Sequence, residues 1–194
     1  MESFLDSPIS IYPEIQLRVQ DGSDIRVDVL AYPEDKYLIV DPYSSITAPE
    51  EGSSSIINYA MWSLPRRLGE VMVSKGEDIR ADYLMRMVVI DFEAIHHVQI
   101  TVLEEAVREV FRKASILRSK SICFDRLDLI ERHHSAFKIV STLVRLLIPF
   151  QLQTANRIKL LVFNFEEGPS LRRFEIACGN LYPYMDSMKS ESNA

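Results

Sequence analysis

Tyr83-Leu84-Met85-Arg86-Met87-Val88-Val89-Ile90-Asp91 is an apolar stretch broken at Arg86 and closed by Asp91, too short to cross a bilayer and rich in Val, Ile and Met. Such a run reads as a strand buried on both faces, near the centre of a sheet. After it, Leu103, Ala106, Val107, Val110, Phe111, Ala114 and Leu117 recur at i, i+3, i+4, i+7, i+8, i+11 and i+14. That spacing predicts a long amphipathic helix over 101–119, with Thr101 and Glu104 as its capping box. Ser121-Ile122-Cys123-Phe124 then supplies a short strand directly after the helix.

Working outward, Ile15 to Val19 and Val27 to Ala31 read as strands joined by Gln20-Asp21-Gly22-Ser23, with Asp28 as the one charge in the second. Pro33, Pro42, Pro49 and Gly52 make 32–52 the longest expected loop, and Ser53 to Ser55 cap a short helix that carries Ile56, Ile57, Ala60 and Met61 on one face. Glu70 to Ser74 is a strand that turns through Lys75-Gly76-Glu77-Asp78 into the central one. Downstream, a helix is predicted from His133 to Leu147 and ended by Pro149, then a strand from Lys159 to Phe165. Leu171 to Ala177 reads as a last helix or strand, before a polar tail over 186–194 that is expected to be disordered. The alternation predicts an α/β domain, a three-layer α/β/α sandwich with a mixed central sheet, as a single unit over 1–185.

The 194 residues are 47% hydrophobic and 26% charged, with 22 Lys and Arg against 28 Asp and Glu. A net charge of −6 opposes a basic face for nucleic acid or anionic membrane. The basic residues Arg112, Lys113, Arg118 and Lys120 share their helix surface with Glu104, Glu105 and Glu109, as on a solvated face. Cys123 and Cys178 form no CxxC pair, Cys123 reads as a buried structural thiol, and the expected compartment is a reducing cytoplasm. The first ten residues carry Glu2 and Asp6 and do not read as a signal peptide. No phosphate loop, dinucleotide fingerprint, nucleophile elbow or zinc-protease helix occurs in the chain. His96-His97 and His133-His134 are adjacent pairs, so neither chelates alone, and a metal would need both doublets with Asp91 or Glu93. The expectation is no metal and no cofactor.

Three stretches together resemble the macro domain, a family that binds ADP-ribose and related nucleotides and in some members hydrolyses ADP-ribosyl bonds. Gln20-Asp21 followed by Asp28-Val29-Leu30-Ala31 is similar to its opening strands. Gly69 to Gly76, with Ile79, Ala81 and Tyr83 to Ile90, is similar to its hairpin and buried strand. Residues 101–119, 121–124, 133–147 and 160–163 resemble its second half. The likeness spans roughly 15–177 and is carried mostly by hydrophobic pattern.

The departures fall on the ligand loops. Where the family has asparagines after its first core strand, this chain has Tyr32-Pro33-Glu34-Asp35, so the residues tied to hydrolysis are unmatched. Its glycine-rich stretches are replaced by Ala48-Pro49-Glu50-Glu51-Gly52-Ser53 and by Asp125-Arg126-Leu127-Asp128-Leu129-Ile130-Glu131. Three carboxylates in the latter oppose a diphosphate. Asp21 matches the carboxylate that accepts a hydrogen bond from the adenine amino group, although Asp21-Gly22-Ser23-Asp24 also reads as an ordinary turn. The resemblance therefore implies a non-catalytic module for ADP-ribose or an adenine nucleotide, lined by Asp21, Tyr32, Asp35, Gly52, Ser53, Asp125, Arg126 and Asn164. The alternative is an interaction or assembly module on the same fold. It would use the aromatic 32–43 segment to bind a protein or a second copy.

Overall fold

The computed structural model describes residues 13–19, 21–39, 64–76, 79–153, 157–166 and 168–191, with the side chains of Ser23 and of residues after Leu181 excepted. Six strands, β1 (Glu14–Val19), β2 (Val27–Asp35), β3 (Val71–Lys75), β4 (Ala81–Ile90), β5 (Ser121–Phe124) and β6 (Leu160–Phe165), form one sheet. Their order is β1-β6-β5-β2-β4-β3, with every neighbouring pair parallel except the β3–β4 hairpin. The helices are α1 (Ile100–Ile116), α2 (Leu127–Glu131), α3 (Ala136–Gln153) and α4 (Gly168–Glu191). This is the mixed-sheet α/β architecture that the alternation predicts.

The period-2 pattern of the strands sorts the core onto two faces. Val29 and Ala31, Met85, Met87 and Val89, Ile122 and Phe124, and Leu161, Phe163 and Phe165 share one buried cluster with α1, α3 and α4. Leu30, Tyr32, Leu84, Cys123 and Val162 point the other way into a smaller buried cluster. An aromatic chain crosses the larger face: Phe111 meets Phe124 at 6.0 Å, Phe124 meets Phe163 at 6.4 Å, and Phe174 of α4 closes on Phe165 at 4.6 Å between centroids. The sheet is thus buried on both sides, as the continuous apolar run of β4 requires.

Asp28 has a structural reason to interrupt β2. Its carboxylate accepts the backbone amides of Lys120 and of Ser121, the latter at 3.1 Å, while its own amide donates to Ser121 Oγ at 2.8 Å. The N-terminal end of β2 is thereby clamped to the start of β5. Gly69 has φ +84, and a Cβ there would stand 2.6 Å from the Glu105 carboxylate. At Gly76 a Cβ would stand 2.1 Å from the Ala81 carbonyl, so the hairpin turn requires glycine.

Several expected boundaries are corrected. Strand β2 runs on through Tyr32, Pro33, Glu34 and Asp35, so the loop does not begin at Tyr32. Strand β5 ends at Phe124, leaving this part of β2 paired with β4 alone, and a proline on a strand paired on one side forfeits little. Helix α1 begins at Ile100 with Gln99 as N-cap and no side-chain cap, which places Thr101 inside the first turn; Glu104 instead pairs with Arg145 of α3. Of the predicted 133–147 helix, 136–147 belongs to α3, which starts at Ala136 and runs on past Pro149 to Gln153, and the short α2, not predicted, precedes it. The side chain of Gln151 secures the turn after that proline, donating to Ile158 O at 2.6 Å and accepting from Ile158 N at 2.8 Å. Leu171 to Ala177, expected as a helix or a strand, lies in a helix, α4. The helix expected after Ser53 lies outside the described residues.

Candidate functional site

In a sheet of parallel strands the loops that follow the carboxyl ends gather on one rim, the usual place for a ligand. Here the register sets that rim: Ala31 is level with Phe124, Phe124 with Phe163, and Val19 with Phe165. Asp21 therefore follows the end of β1 on the rim, where it is exposed and opens the short 3-10 turn Gly22–Asp24. Asp24 N donates to Asp21 O at 3.1 Å. Tyr32, Asp125 and Asn164 form the next row after Ala31, Phe124 and Phe163, and all three are buried.

Internal partners take up much of this row. Asn164 Nδ2 donates to Asp125 Oδ1 at 2.6 Å, and Asp125 N donates to Ala31 O at 2.9 Å. Asp35, also buried, accepts the amides of Tyr37 at 2.6 Å and Ile39 at 2.7 Å, folding the chain after β2 into a turn. Arg126 stands in the left-handed region, φ 51 and ψ 38, where the chain leaves β5 for α2. Its guanidinium holds Asp128 through two bonds of 3.3 Å and Glu166 at 2.5 Å. Burial works against that charge, but the Asp128 hydrogen bonds, together with the fields of Asp128, Tyr32 and Glu166, keep it firmly protonated. Asp128 also accepts Glu166 N at 3.4 Å, tying α2 to the end of β6.

Of the expected ligand residues, the fold brings Asp21, Tyr32, Asp35, Asp125, Arg126 and Asn164 to the same rim, while Gly52 and Ser53 lie outside the described residues. The segment expected to lack a phosphate loop is a short helix that buries Leu127 and Ile130. Sequence reasoning missed Asp128 and Glu166 as partners of Arg126. The i+2 spacing of Asp128 was an available signal, whereas Glu166 lies on a different element and left none.

Beside this row, Lys36 Nζ pairs with Asp91 at 2.8 Å and Glu93 at 2.6 Å, and Tyr37 OH donates to Glu93 at 2.8 Å. This latches the turn after β2 onto the loop after β4, with Tyr37, Ile39, Phe92 and Ile95 exposed there. A cleft of about 690 Å³ opens on the other side of α2, between α3 and α4, where Phe137 and Ile176 stand exposed and Glu131 holds Arg173. The thiols offer no nucleophile among these groups. Burial, with Asp125 beside it, pushes Cys123 well up, and burial pushes Cys178 up to about 11.

No family model matches the sequence, and no curated protein does. Solved structures do match in three dimensions. A macrodomain from Oceanobacillus iheyensis, solved with MES bound, superposes with a TM-score of 0.67 at 12% identity, covering 87% of this chain and 92% of that one. The chain has the macrodomain fold. The macro domain of ganglioside induced differentiation associated protein 2 agrees, with a TM-score of 0.65 at 15% identity over 90% of this chain and 85% of that one. So does the Trypanosoma brucei macrodomain in complex with ADP-ribose, at 0.61 and 12% over 84% and 68%. At such identities the macrodomain likeness is one of backbone, and the rim has to be read from this chain's own side chains. Among the described residues no helix is long and apolar enough to cross a membrane.

Proposed function

We propose that the chain is a non-hydrolysing macrodomain-fold module that binds an adenine nucleotide of the ADP-ribose class on the carboxyl rim of its sheet. The reading rests on Asp21: exposed just past β1, it brings to this rim a carboxylate, the type of acceptor that an exocyclic amine requires. The complexes of the Trypanosoma brucei macrodomain with ADP-ribose and with ADP, and of an Oceanobacillus iheyensis macrodomain mutant with ADPR, make this ligand class the first to test. Arg126 is the rim cation for a phosphate, which must take the place of the half-exposed Glu166 carboxylate. Tyr32-Pro33-Glu34-Asp35 places no asparagine after Ala31, which is the ground for binding without hydrolysis.

The test is thermal unfolding of the purified chain with millimolar ADP-ribose, ADP, AMP or NAD at fixed salt. Saturation at about 100 times the dissociation constant adds roughly 2.7 kcal/mol, or roughly 5–11 °C for a chain of this length. The shift is expected to vanish in Asp21→Ala and to grow for the phosphorylated ligands in Glu166→Gln. ADP-ribosylated protein incubated with the chain should release no ADP-ribose.

A second reading, an interaction module with no nucleotide, is favoured by the rim groups that already bind one another, Asp125 with Asn164 and Arg126 with Asp128 and Glu166. The exposed Tyr37, Ile39, Phe92 and Ile95 would be its contact surface. No shift with any nucleotide, together with a dimeric mass by light scattering, would select it.

A further inference from the structure

The two histidine doublets meet in the fold. His96 and His97 lie in the loop after β4, and His133 and His134 lie between α2 and α3, so both stand on the carboxyl rim. The His97 and His133 rings are 5.4 Å apart between centroids and nearly perpendicular. Beside them a cleft of about 350 Å³ is lined by His96, His133 and His134 with Ile95, Val98 and Gln99.

Backbone carbonyls fix two of the tautomers. A carbonyl only accepts, so the ring nitrogen facing it carries the proton: His97 Nδ1 donates to Asp91 O at 3.2 Å, and His134 Nε2 donates to Val98 O at 2.9 Å. In the neutral rings this leaves His97 Nε2 and His134 Nδ1 as lone pairs. An imidazole whose second nitrogen donates to a carbonyl is oriented and made more basic for a metal. Two imidazoles on one tetrahedral ion, each nitrogen about 2.1 Å from it, have centroids roughly 5.3 Å apart. The His97–His133 pair stands at that separation.

Among the described residues no three His, Cys, Asp or Glu side chains form a ready ligand set, and Asp91 and Glu93 are turned to Lys36. The geometry points to a two-imidazole site: we propose that His97 and His133 bind one divalent ion that favours imidazole, Zn²⁺ or Cu²⁺, with the other positions open to water or an incoming donor. The bound ion would join the loop after β4 to the α2–α3 junction on the same rim as Asp21, and it requires no nucleotide there.

The experiment uses the tag-free chain, with Zn²⁺ titrated by calorimetry near pH 7.5 and Cu²⁺ added for electron paramagnetic resonance. One ion per chain and hyperfine structure from two imidazole nitrogens are expected. His97→Gln or His133→Gln should weaken binding by at least about tenfold and remove one nitrogen from the spectrum, with far-UV circular dichroism unchanged. Absence of saturable binding, or the same affinity and nitrogen count in the double variant, would overturn the site and leave an edge-to-face ring contact. Should either variant fail to fold, ring ¹⁵N resonances of the unaltered chain decide: Zn²⁺ must shift His97 and His133, and shifts confined to other histidines refute the proposal.

Discussion

Asp28 is the sharpest test of how this sheet is joined, because a charged residue inside an apolar strand is otherwise an anomaly. Its carboxylate accepts two backbone amides at the start of β5, that of Ser121 half-buried and that of Lys120 exposed. A hydrogen bond to a charged acceptor contributes about 1.5–3 kcal/mol when it is shielded, and less when water can replace it. Asp28→Ala should therefore cost about 2–3 kcal/mol, the Ser121 amide supplying most of it. At roughly 2–4 °C per kcal/mol for a chain of this size, the midpoint should fall by roughly 4–12 °C. Asp28→Asn keeps an acceptor oxygen of the same reach and should recover about half of the loss. Scanning calorimetry or circular dichroism melts of the three proteins in one buffer measure both effects. An Asp28→Ala midpoint within about 1 °C of the parent, or an Asn variant as damaged as the Ala one, would refute the clamp.

Three further outcomes follow from the packing. Gly76→Ala places a Cβ 2.1 Å from the Ala81 carbonyl, so the β3–β4 turn must open, and urea unfolding should show a loss of about 1–3 kcal/mol. Lys36 holds Asp91 and, with the Tyr37 hydroxyl, Glu93 below their ordinary values of 3.8 and 4.5. Depressed carboxyl values stabilise the fold above those ordinary values, and the contribution is lost as the pH falls through the depressed ones. Lys36→Met should accordingly lower the melting midpoint at pH 7, and the gap to the parent should narrow as the pH is taken progressively below 3.8; a gap that stays constant with pH would refute the latch. A thiol reagent should label Cys178 slowly and Cys123 only on unfolding, since burial suppresses both thiolates and encloses Cys123 completely.

The parts legible in the sequence are those where one local rule acts alone. Val27 to Ala31, Ser121 to Phe124 and 160–165 alternate between two buried clusters, and α1 has one apolar stripe, so residue type and period suffice there. The sequence becomes misleading where a partner from elsewhere overrides the local signal. Pro33 and two acids announce a loop, yet Tyr32–Asp35 continues as strand because β4 extends beside it after β5 has stopped. Pro149 announces a helix end, yet a glutamine two residues on makes a backbone-like pair with Ile158 and holds the last turn. Glu104 has the spacing of a capping residue, but Arg145 of another helix takes it.

The carboxyl rim concentrates these non-local effects, which makes its residues ambiguous in a one-dimensional reading. Asp35, Asp125 and Arg126 are residue types that touch ligands, and in space each is already held: by two amides, by Asn164, and by Asp128 with Glu166. These pairs differ in how readily they can be exchanged. Asp125 and Asn164 are buried, and breaking their bond strands polar groups, so they favour a fixed frame. Glu166 is more than half exposed, and its bond to Arg126 can be traded for a phosphate oxygen at little desolvation cost. If the rim takes an anionic ligand, specificity therefore divides between an exposed acid past the edge strand β1, Asp21, and a cation past the inner strand β5, Arg126, whose exposed partner Glu166 must first leave. A nucleoside without phosphate leaves that ion pair in place, so the response of Glu166→Gln to AMP and ADP-ribose, against adenosine, reports which of the two groups does the binding.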